Sequence, residues 1–271
     1  MPELPEVETI RQDLSCLIVG RKVLAIATDT PGKILPSLEL VKKAVVGSTI
    51  KRIDRRAKLL QLILDNGKVI AFHLKMSGRL LVRKVGEEKD DWQHIVITLS
   101  EGLELRFADM RKFGWMKLFL SREDLKKVLT EYGPEPLSDL TLKKFREILE
   151  ANGRAIKIVL MDQEKIAGIG NIYANEALFL AKIDPRTPAD KIKEKQAAAL
   201  FLAIEKVLRL GLRYRGASDR YYLDALGQKG HFQEHFLVYG RQGKECGSCK
   251  GMIKRIALGG RGTFYCPSCQ K

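Results

Sequence analysis

The spacing of apolar residues divides the chain into a β-patterned first part and a helix-patterned second part. Val7, Ile10, Leu14 and Leu17 recur at helical spacing, and Pro5, Glu6 and Glu8 suit the first turn of that helix, where carboxylates complement the positive end of the dipole. From residue 22 to 120 the period shortens, and alternating or β-branched runs at 23–27, 49–54, 79–82, 94–99 and 103–107 predict strands. Segments 59–64 and 69–74 flank Asp65-Asn66-Gly67, which predicts a hairpin closed by a tight two-residue turn. The expectation for this part is an all-β sandwich or barrel with the first helix packed beside it. Tyr132-Gly133-Pro134-Glu135-Pro136 then interrupts both periodicities and marks a domain boundary. Helical patterns follow at 142–150, 156–161, 172–182 and 193–210, and short strands at 252–258 and 263–265 are joined at Gly259-Gly260-Arg261-Gly262. The expected class is α+β in two domains, divided as 1–130, 131–240 and a small tail at 241–271.

Composition alters this picture mainly through charge. With 271 residues, 45% hydrophobic and 30% charged, the chain can bury a sizeable core and is not disordered by composition. Lys and Arg number 48 against 33 Asp and Glu, a net charge of +15, which favours polyanionic partners such as nucleic acid or an anionic membrane surface. No run of about 18 apolar residues occurs and no basic-then-apolar leader opens the chain, so the reading is a soluble cytoplasmic protein with no membrane role.

The first residues carry candidate chemistry. Removal of Met1 would leave Pro2 with a secondary α-amine able to condense with a sugar aldehyde carbon to an iminium. An α-amine titrates near about 7.7–8.0 and a lysine near about 10.4, so at pH 7 roughly 10–15% of the first but about 0.04% of the second is neutral. Glu3 beside it can serve as general acid or base where burial raises its pKa. The same residues also simply begin a helix, and both readings stand together.

At the other end, Cys246-Gly247-Ser248-Cys249 and Cys266-Pro267-Ser268-Cys269 form two CxxC pairs separated by sixteen residues, the spacing of a tetrahedral four-thiolate zinc site. One structural Zn2+ per chain is expected, stapling a hairpin. From Gly240 onward seven Lys or Arg face one acidic residue, Glu245, as a groove-binding finger requires. Cys16 stands alone on the polar side of the first helix and carries no role.

Several other stretches are ambiguous by themselves. Arg52, Arg55, Arg56 and Lys58 can be a solvated strand edge, and His73 a half-buried strand histidine. Lys75-Met76-Ser77-Gly78 and Asp109-Met110-Arg111-Lys112-Phe113-Gly114 read as turns that present Met, Arg and Phe, side chains suited to filling a gap in a base stack and bonding an orphaned base. Gly168-Ile169-Gly170-Asn171 before a helix can bring backbone amides to an anion. The glycine-punctuated stretch 212–236, with Tyr221 and Tyr222 as stacking surfaces, reads as a mobile surface loop.

Taken together, Met1-Pro2-Glu3-Leu4-Pro5-Glu6-Val7-Glu8, the Met76 turn, the Arg111–Phe113 turn, the Gly168–Asn171 stretch and the cysteine pairs resemble the bacterial formamidopyrimidine-DNA glycosylases over nearly the whole chain. The resemblance implies an N-terminal β-sandwich with a leading helix, a helix-two-turns-helix bundle and a four-cysteine zinc hairpin. It implies a bifunctional glycosylase and abasic-site lyase that excises oxidised purines, 8-oxoguanine and formamidopyrimidines, from damaged double-stranded DNA gripped between the domains. Strand cleavage by β,δ-elimination would follow. By the same resemblance Pro2, Glu3, Lys58 and Arg261 are catalytic, and Met76, Arg111 and Phe113 form a wedge. His73 and Asn171 bind phosphate, Glu6 lies near the flipped base, Glu176 supports the fold, and 212–236 closes over the lesion. The expected molecule is a monomer in the bacterial cytoplasm, associated with the nucleoid.

Ala57 departs from the glycine common at that position in the family, and Ala217-Ser218-Asp219-Arg220 does not align with it. Two other readings stay open. One is a pyrimidine-directed relative, disfavoured by Leu4 and Val7. The other is a noncatalytic DNA-binding protein that uses the zinc hairpin and the helical element.

Overall fold

The computed structural model describes residues 1–218 and 221–271; Asp219 and Arg220, which fall in the proposed lesion loop, lie outside the described residues. The chain separates into two compact units, Met1–Thr130 with Tyr214–His231, and Glu131–Arg213 with Phe232–Lys271.

The first unit opens with helix α1 (Leu4–Leu17), followed by β1 (Val23–Thr28), β2 (Ile34–Leu35), helix α2 (Leu38–Val45), β3 (Ile50–Arg56), β4 (Leu59–Leu64), β5 (Val69–His73) and β6 (Gly78–Lys84). Strands β7 (Gln93–Leu99), β8 (Leu103–Asp109) and β9 (Trp115–Phe119) and helix α3 (Arg122–Leu129) complete it. These strands form a four-stranded sheet, β1-β7-β8-β6, and a five-stranded sheet, β2-β9-β5-β4-β3. Alternate residues of both sheets, among them Ile26, Leu80, Ile97 and Leu105 from one and Ile53, Leu62, Phe72 and Met116 from the other, meet in one core. Val7, Ile10 and Leu14 of α1 join that core, so the apolar stripe read from the sequence docks the helix and fixes its first turn.

The hairpin turn and two helices differ from the sequence reading, and strands β2 and β9 lie outside the predicted runs. The Asp65-Asn66-Gly67 hairpin is a three-residue loop, with the Gly67 N–H donating to Leu64 O at 3.1 Å and the Leu64 N–H to Lys68 O at 3.0 Å. Gly67 takes φ +81°, the left-handed residue that follows a type I turn and absorbs the extra position as a bulge. Helices α2 and α3 were not expected. Each is eight residues long, and each is started by a serine whose hydroxyl accepts an N–H three residues on, Ser37 from Leu40 and Ser121 from Asp124.

The segment Tyr214–His231, assigned to the second domain by its place in the sequence, packs with the first unit. Tyr222 and Ala225 enter the sandwich core, the Val82 N–H donates to Ala225 O, and Arg79 Nε donates to Tyr221 O at 2.6 Å. Its described residues are therefore a docked segment and not a free surface loop, and the buried Tyr222 ring is core and not a stacking surface. The apolar residues that dock it are too few and too widely spaced to register as a pattern.

The second unit contains α4 (Leu142–Glu150), α5 (Ile156–Met161), α6 (Asn171–Leu180), α7 (Glu194–Arg213) and a two-stranded hairpin of β10 (Lys254–Leu258) and β11 (Arg261–Tyr265). The Gly133 N–H donates to Gln163 O and the Ala167 N–H to Pro134 O, so the proline-rich boundary seats against the turn between α5 and α6. Among the described residues no helix is long and apolar enough to cross a membrane.

Candidate active site and nucleic-acid interface

In the first unit, Glu3 caps α1 and its N–H donates to Glu6 Oε2 at 2.8 Å, one half of a capping box. Met1 is 43% exposed, whereas Pro2 and Glu3 are buried. The mild reading of these acids as helix starters is thus realised, and it is what holds Pro2 at a fixed place. Arg55 of β3 donates to Glu8 Oε2 at 3.0 Å and to Ala57 O at 2.9 Å, so one guanidinium ties α1 to the turn that carries Lys58. Burial pushes the Glu8 carboxyl up, but hydrogen bonds and charge from Arg11 and Arg55 outweigh it and hold the group below its ordinary value.

Lys58 is 5% exposed. Ala57 before it has φ +53°, the left-handed region that favours glycine, and is fully buried. The alanine therefore adopts the conformation that a glycine would take without cost.

Register places further site residues at the same end of the sheet as Lys58. Leu59 pairs with His73 and His73 with Trp115. The Lys75 N–H donates to His73 Nδ1 at 3.0 Å, so the neutral ring carries its proton on Nε2, where it can donate to an anion. Burial, with Lys75 and Lys58 nearby, pushes the His73 pKa down to about 3, so the ring is neutral at physiological pH.

Beyond His73, the 75–78 and 109–114 turns are stitched together by Asp109, which is 2% exposed. Its Oδ1 accepts from Ser77 Oγ at 2.6 Å and from the Arg111 N–H at 3.2 Å, and its Oδ2 accepts from the Gly114 N–H at 2.7 Å. Half-buried Met76 and exposed Arg111 and Phe113 are carried on this frame, with Arg111 Cζ 4.6 Å from the centre of the Phe113 ring. Ser77 and Asp109 lie within the motifs of these two turns, and the sequence alone assigns them no role. An acid and a hydroxyl flanking the two presenting turns were the available signal.

Glu6 faces the 214–231 segment as well as α1, since its Oε1 accepts from the Ala217 N–H at 2.8 Å. Arg215 lies between Asp13 and Asp224, 2.7 and 2.6 Å from their nearest oxygens, and thereby clamps the base of that segment to α1. The clamp joins residues some 200 positions apart, and nothing in the sequence pairs them.

In the second unit, Leu258 pairs with Arg261 across Gly259 and Gly260, whose φ values of +57° and +70° suit a type I′ turn. Arg261 is thus the first residue of β11 and not a loop-tip residue, and its side chain is exposed. The tip is anchored from beneath. Lys157 Nζ, buried in α5, donates to Gly262 O and to Thr263 Oγ1 at 3.1 and 2.6 Å, Asn171 Nδ2 donates to Gly262 O at 3.1 Å, and the Phe264 N–H donates to Asn175 Oδ1 at 2.7 Å. Asn171 therefore spends one donor on the hairpin. Glu176 accepts N–H bonds from Leu237, Val238 and Tyr239 and is a structural clasp. Burial raises its pKa despite these bonds.

The ligand atoms of Cys246, Cys249, Cys266 and Cys269 lie within 4.8 Å of one another, with Cys246 Sγ 3.8 Å from Cys269 Sγ and Cys249 Sγ 3.4 Å from Cys266 Sγ. A tetrahedron with zinc–sulfur bonds of about 2.3 Å has sulfur–sulfur edges of about 3.8 Å, so the four thiols fit one zinc ion. All four ligand positions are filled by protein, which makes the metal structural.

Comparison with known proteins agrees with this geometry. Residues 1–116 match the family model described as formamidopyrimidine-DNA glycosylase N-terminal domain, 132–221 the H2TH domain of the same enzymes, and 243–271 a zinc finger found in FPG and IleRS. The chain is 42% identical over 273 residues to a formamidopyrimidine-DNA glycosylase of Herpetosiphon aurantiacus, covering all of both chains. It is 43% identical to that of Chloroflexus aurantiacus, covering 100% of this chain and 98% of the relative. Among solved structures, Lactococcus lactis Fpg in complex with abasic-site DNA superposes with a TM-score of 0.94 at 36% identity, covering 99% of each chain. The chain belongs to the formamidopyrimidine-DNA glycosylase family of zinc-finger DNA-repair enzymes.

Proposed function

We propose that this glycosylase is bifunctional, excising oxidised purines from duplex DNA and then cleaving the strand through an iminium at Pro2. The observation that carries the reading is the seclusion of Pro2, Glu3 and Lys58 from solvent within a unit whose helix start is tied to the Lys58 turn through Arg55. Burying an ammonium and a carboxylate costs several kcal/mol, and the carboxylate, Glu3, is held in place beside Pro2 by the capping box. Once Met1 is removed, the Pro2 nitrogen attacks C1′ of the damaged nucleotide and the glycosidic electron pair leaves with the base. Glu3 transfers a proton at the sugar as the ring opens to the iminium. Loss of a C2′ proton expels the 3′ phosphate, and a second elimination expels the 5′ phosphate.

Lys58 and the Nε2–H of His73 hold the lesion strand, and Asn171 with the α6 amides and Arg261 bind backbone phosphate. Arg261 also assists the elimination. Met76, Arg111 and Phe113 fill the gap left by the extruded base, and Glu6 contacts that base. The Lactococcus lactis relative has been crystallised with DNA containing a formamidopyrimidine lesion, which supports the same substrate class here. Incubation with an 8-oxoguanine duplex tests the reading. Release of the base together with a nick carrying phosphate at both ends is expected, and base release that leaves the strand intact would remove the lyase half of the proposal.

A further inference from the structure

At the opposite end of the five-stranded sheet lies a groove that the DNA chemistry does not use. It has a volume of about 950 Å3 and is floored by Leu35, Leu40, Leu118, Phe119, Leu120 and Val128. The register separates it from the catalytic end, since β5 pairs Val69 with Phe119 at the groove and His73 with Trp115 at the site. On β9 the groove begins at Lys117, two residues or roughly 7 Å of strand from Trp115, and runs away from it through Phe119 to Leu120. Three floor residues are large apolar side chains left in water, Leu35 at 39%, Leu40 at 54% and Leu120 at 66% exposure. Apolar side chains gathered in a concavity, and not scattered singly, mark an interaction site.

The rim is basic. Lys43, Lys68, Lys117 and Lys127 border the groove against a single acid, Asp124, which is paired with Lys127 at 3.3 Å. Among the described residues Lys43, Lys68 and Lys117 make no ion pair, and Lys117 Nζ lies over the Phe119 ring at 4.9 Å. A nucleic-acid backbone would satisfy the lysines but leave the leucines in water, whereas a hydrocarbon ligand would do the reverse.

We propose that this groove docks an acidic segment of a partner protein, one whose apolar side chains enter the floor while its carboxylates meet the lysine rim. Because the groove lies at the far end of the sheet from Lys58 and His73, the partner and damaged DNA bind together.

The test is fluorescence anisotropy with a fluorescein-labelled peptide in which Leu-Phe pairs alternate with Asp and Glu, titrated with the zinc-loaded full chain. Saturable binding is expected, weakened about tenfold by the double change Lys43→Glu with Lys117→Glu and similarly by Leu40→Asp. It should be lost when Lys replaces the acids of the peptide, while all variants nick an 8-oxoguanine duplex at the parental rate. Absence of saturable binding, equal binding of the basic peptide, or binding indifferent to these substitutions overturns the proposal. Two further results would also overturn it by assigning the face elsewhere: a concentration-dependent dimer broken by Leu40→Asp, or duplex affinity reduced by the lysine changes.

Discussion

Replacing Asp109 should damage both the stability of the first unit and its handling of a paired lesion. The carboxylate is 2% exposed and satisfies Ser77 Oγ, the Arg111 N–H and the Gly114 N–H. In Asp109→Ala the Arg111 N–H keeps its second acceptor, Ser77 Oγ at 3.2 Å, but the proton of the buried Ser77 hydroxyl and the Gly114 N–H lose their acceptor. Two buried orphans at about 1–3 kcal/mol each give a loss of about 2–6 kcal/mol. Asp109→Asn keeps an oxygen for Ser77 and Arg111 but turns an NH2 toward the Gly114 N–H, a single conflict costing about 1–3 kcal/mol. The two tryptophans, Trp92 and Trp115, both lie in the first unit, so urea unfolding followed by tryptophan fluorescence reads this unit alone. Excision separates framework loss from wedge loss. Asp109→Asn should excise 8-oxoguanine poorly when the lesion is paired with cytosine, and near the parental rate when it faces an abasic gap, where no stacked partner must be displaced. An Asp109→Ala midpoint matching that of the parent, or an Asp109→Asn defect equal on both duplexes, would refute the reasoning.

His73 has a folded pKa of about 3, well below the ordinary value of about 6.5, so below pH 6.5 the unfolded chain takes up a proton that the folded chain refuses. Stability therefore falls as pH drops through this window, and between pH 7 and pH 5 the parent should lose about 1–2 kcal/mol more than His73→Gln in the same unfolding assay; identical losses would count against the buried neutral ring. Ala57 already occupies left-handed backbone, so Ala57→Gly should lie within about 1 kcal/mol of the parent, while a β-branched side chain resists that φ and Ala57→Val should lose more than about 2 kcal/mol, both read as unfolding midpoints. Metal analysis should find one zinc per chain, and chelation or Cys249→Ser should abolish duplex binding while the tryptophan signal of the first unit stays folded. Loss of that signal on chelation would show that the hairpin does more than staple itself.

What the sequence revealed depended on how local each determinant is. The α1 stripe, the strands at 59–64 and 103–109 and the helix at 142–150 are set by periodicity within one element, and the four cysteines by spacing within one hairpin. The Ser77–Asp109 stitch, the Arg215 clamp on Asp13, and the seat of the hairpin tip on Lys157 and Asn171 join residues from 32 to more than 200 positions apart. No periodic pattern encodes such pairs. The docking of Tyr214–His231 on the first unit was hidden for the same reason, since Ala217 and Tyr222 meet partners in α1. Local cues also erred in length. The Asn-Gly pair announced a turn at 65–67 correctly, but whether Gly67 closes two residues or three is decided by strand twist and pairing.

The most direct test of the central claim is borohydride reduction during turnover on an 8-oxoguanine duplex, followed by peptide mapping. Reduction converts a transient iminium into a stable amine, so a covalent protein–DNA adduct should form and map to Pro2. Pro2→Gly, which keeps an α-amine but loses the secondary ring nitrogen, should trap less while still binding duplex. A form that retains Met1 should neither trap nor cut, because its Pro2 nitrogen is an amide. Mapping of the adduct to Lys58, or full activity with Met1 in place, would contradict the account.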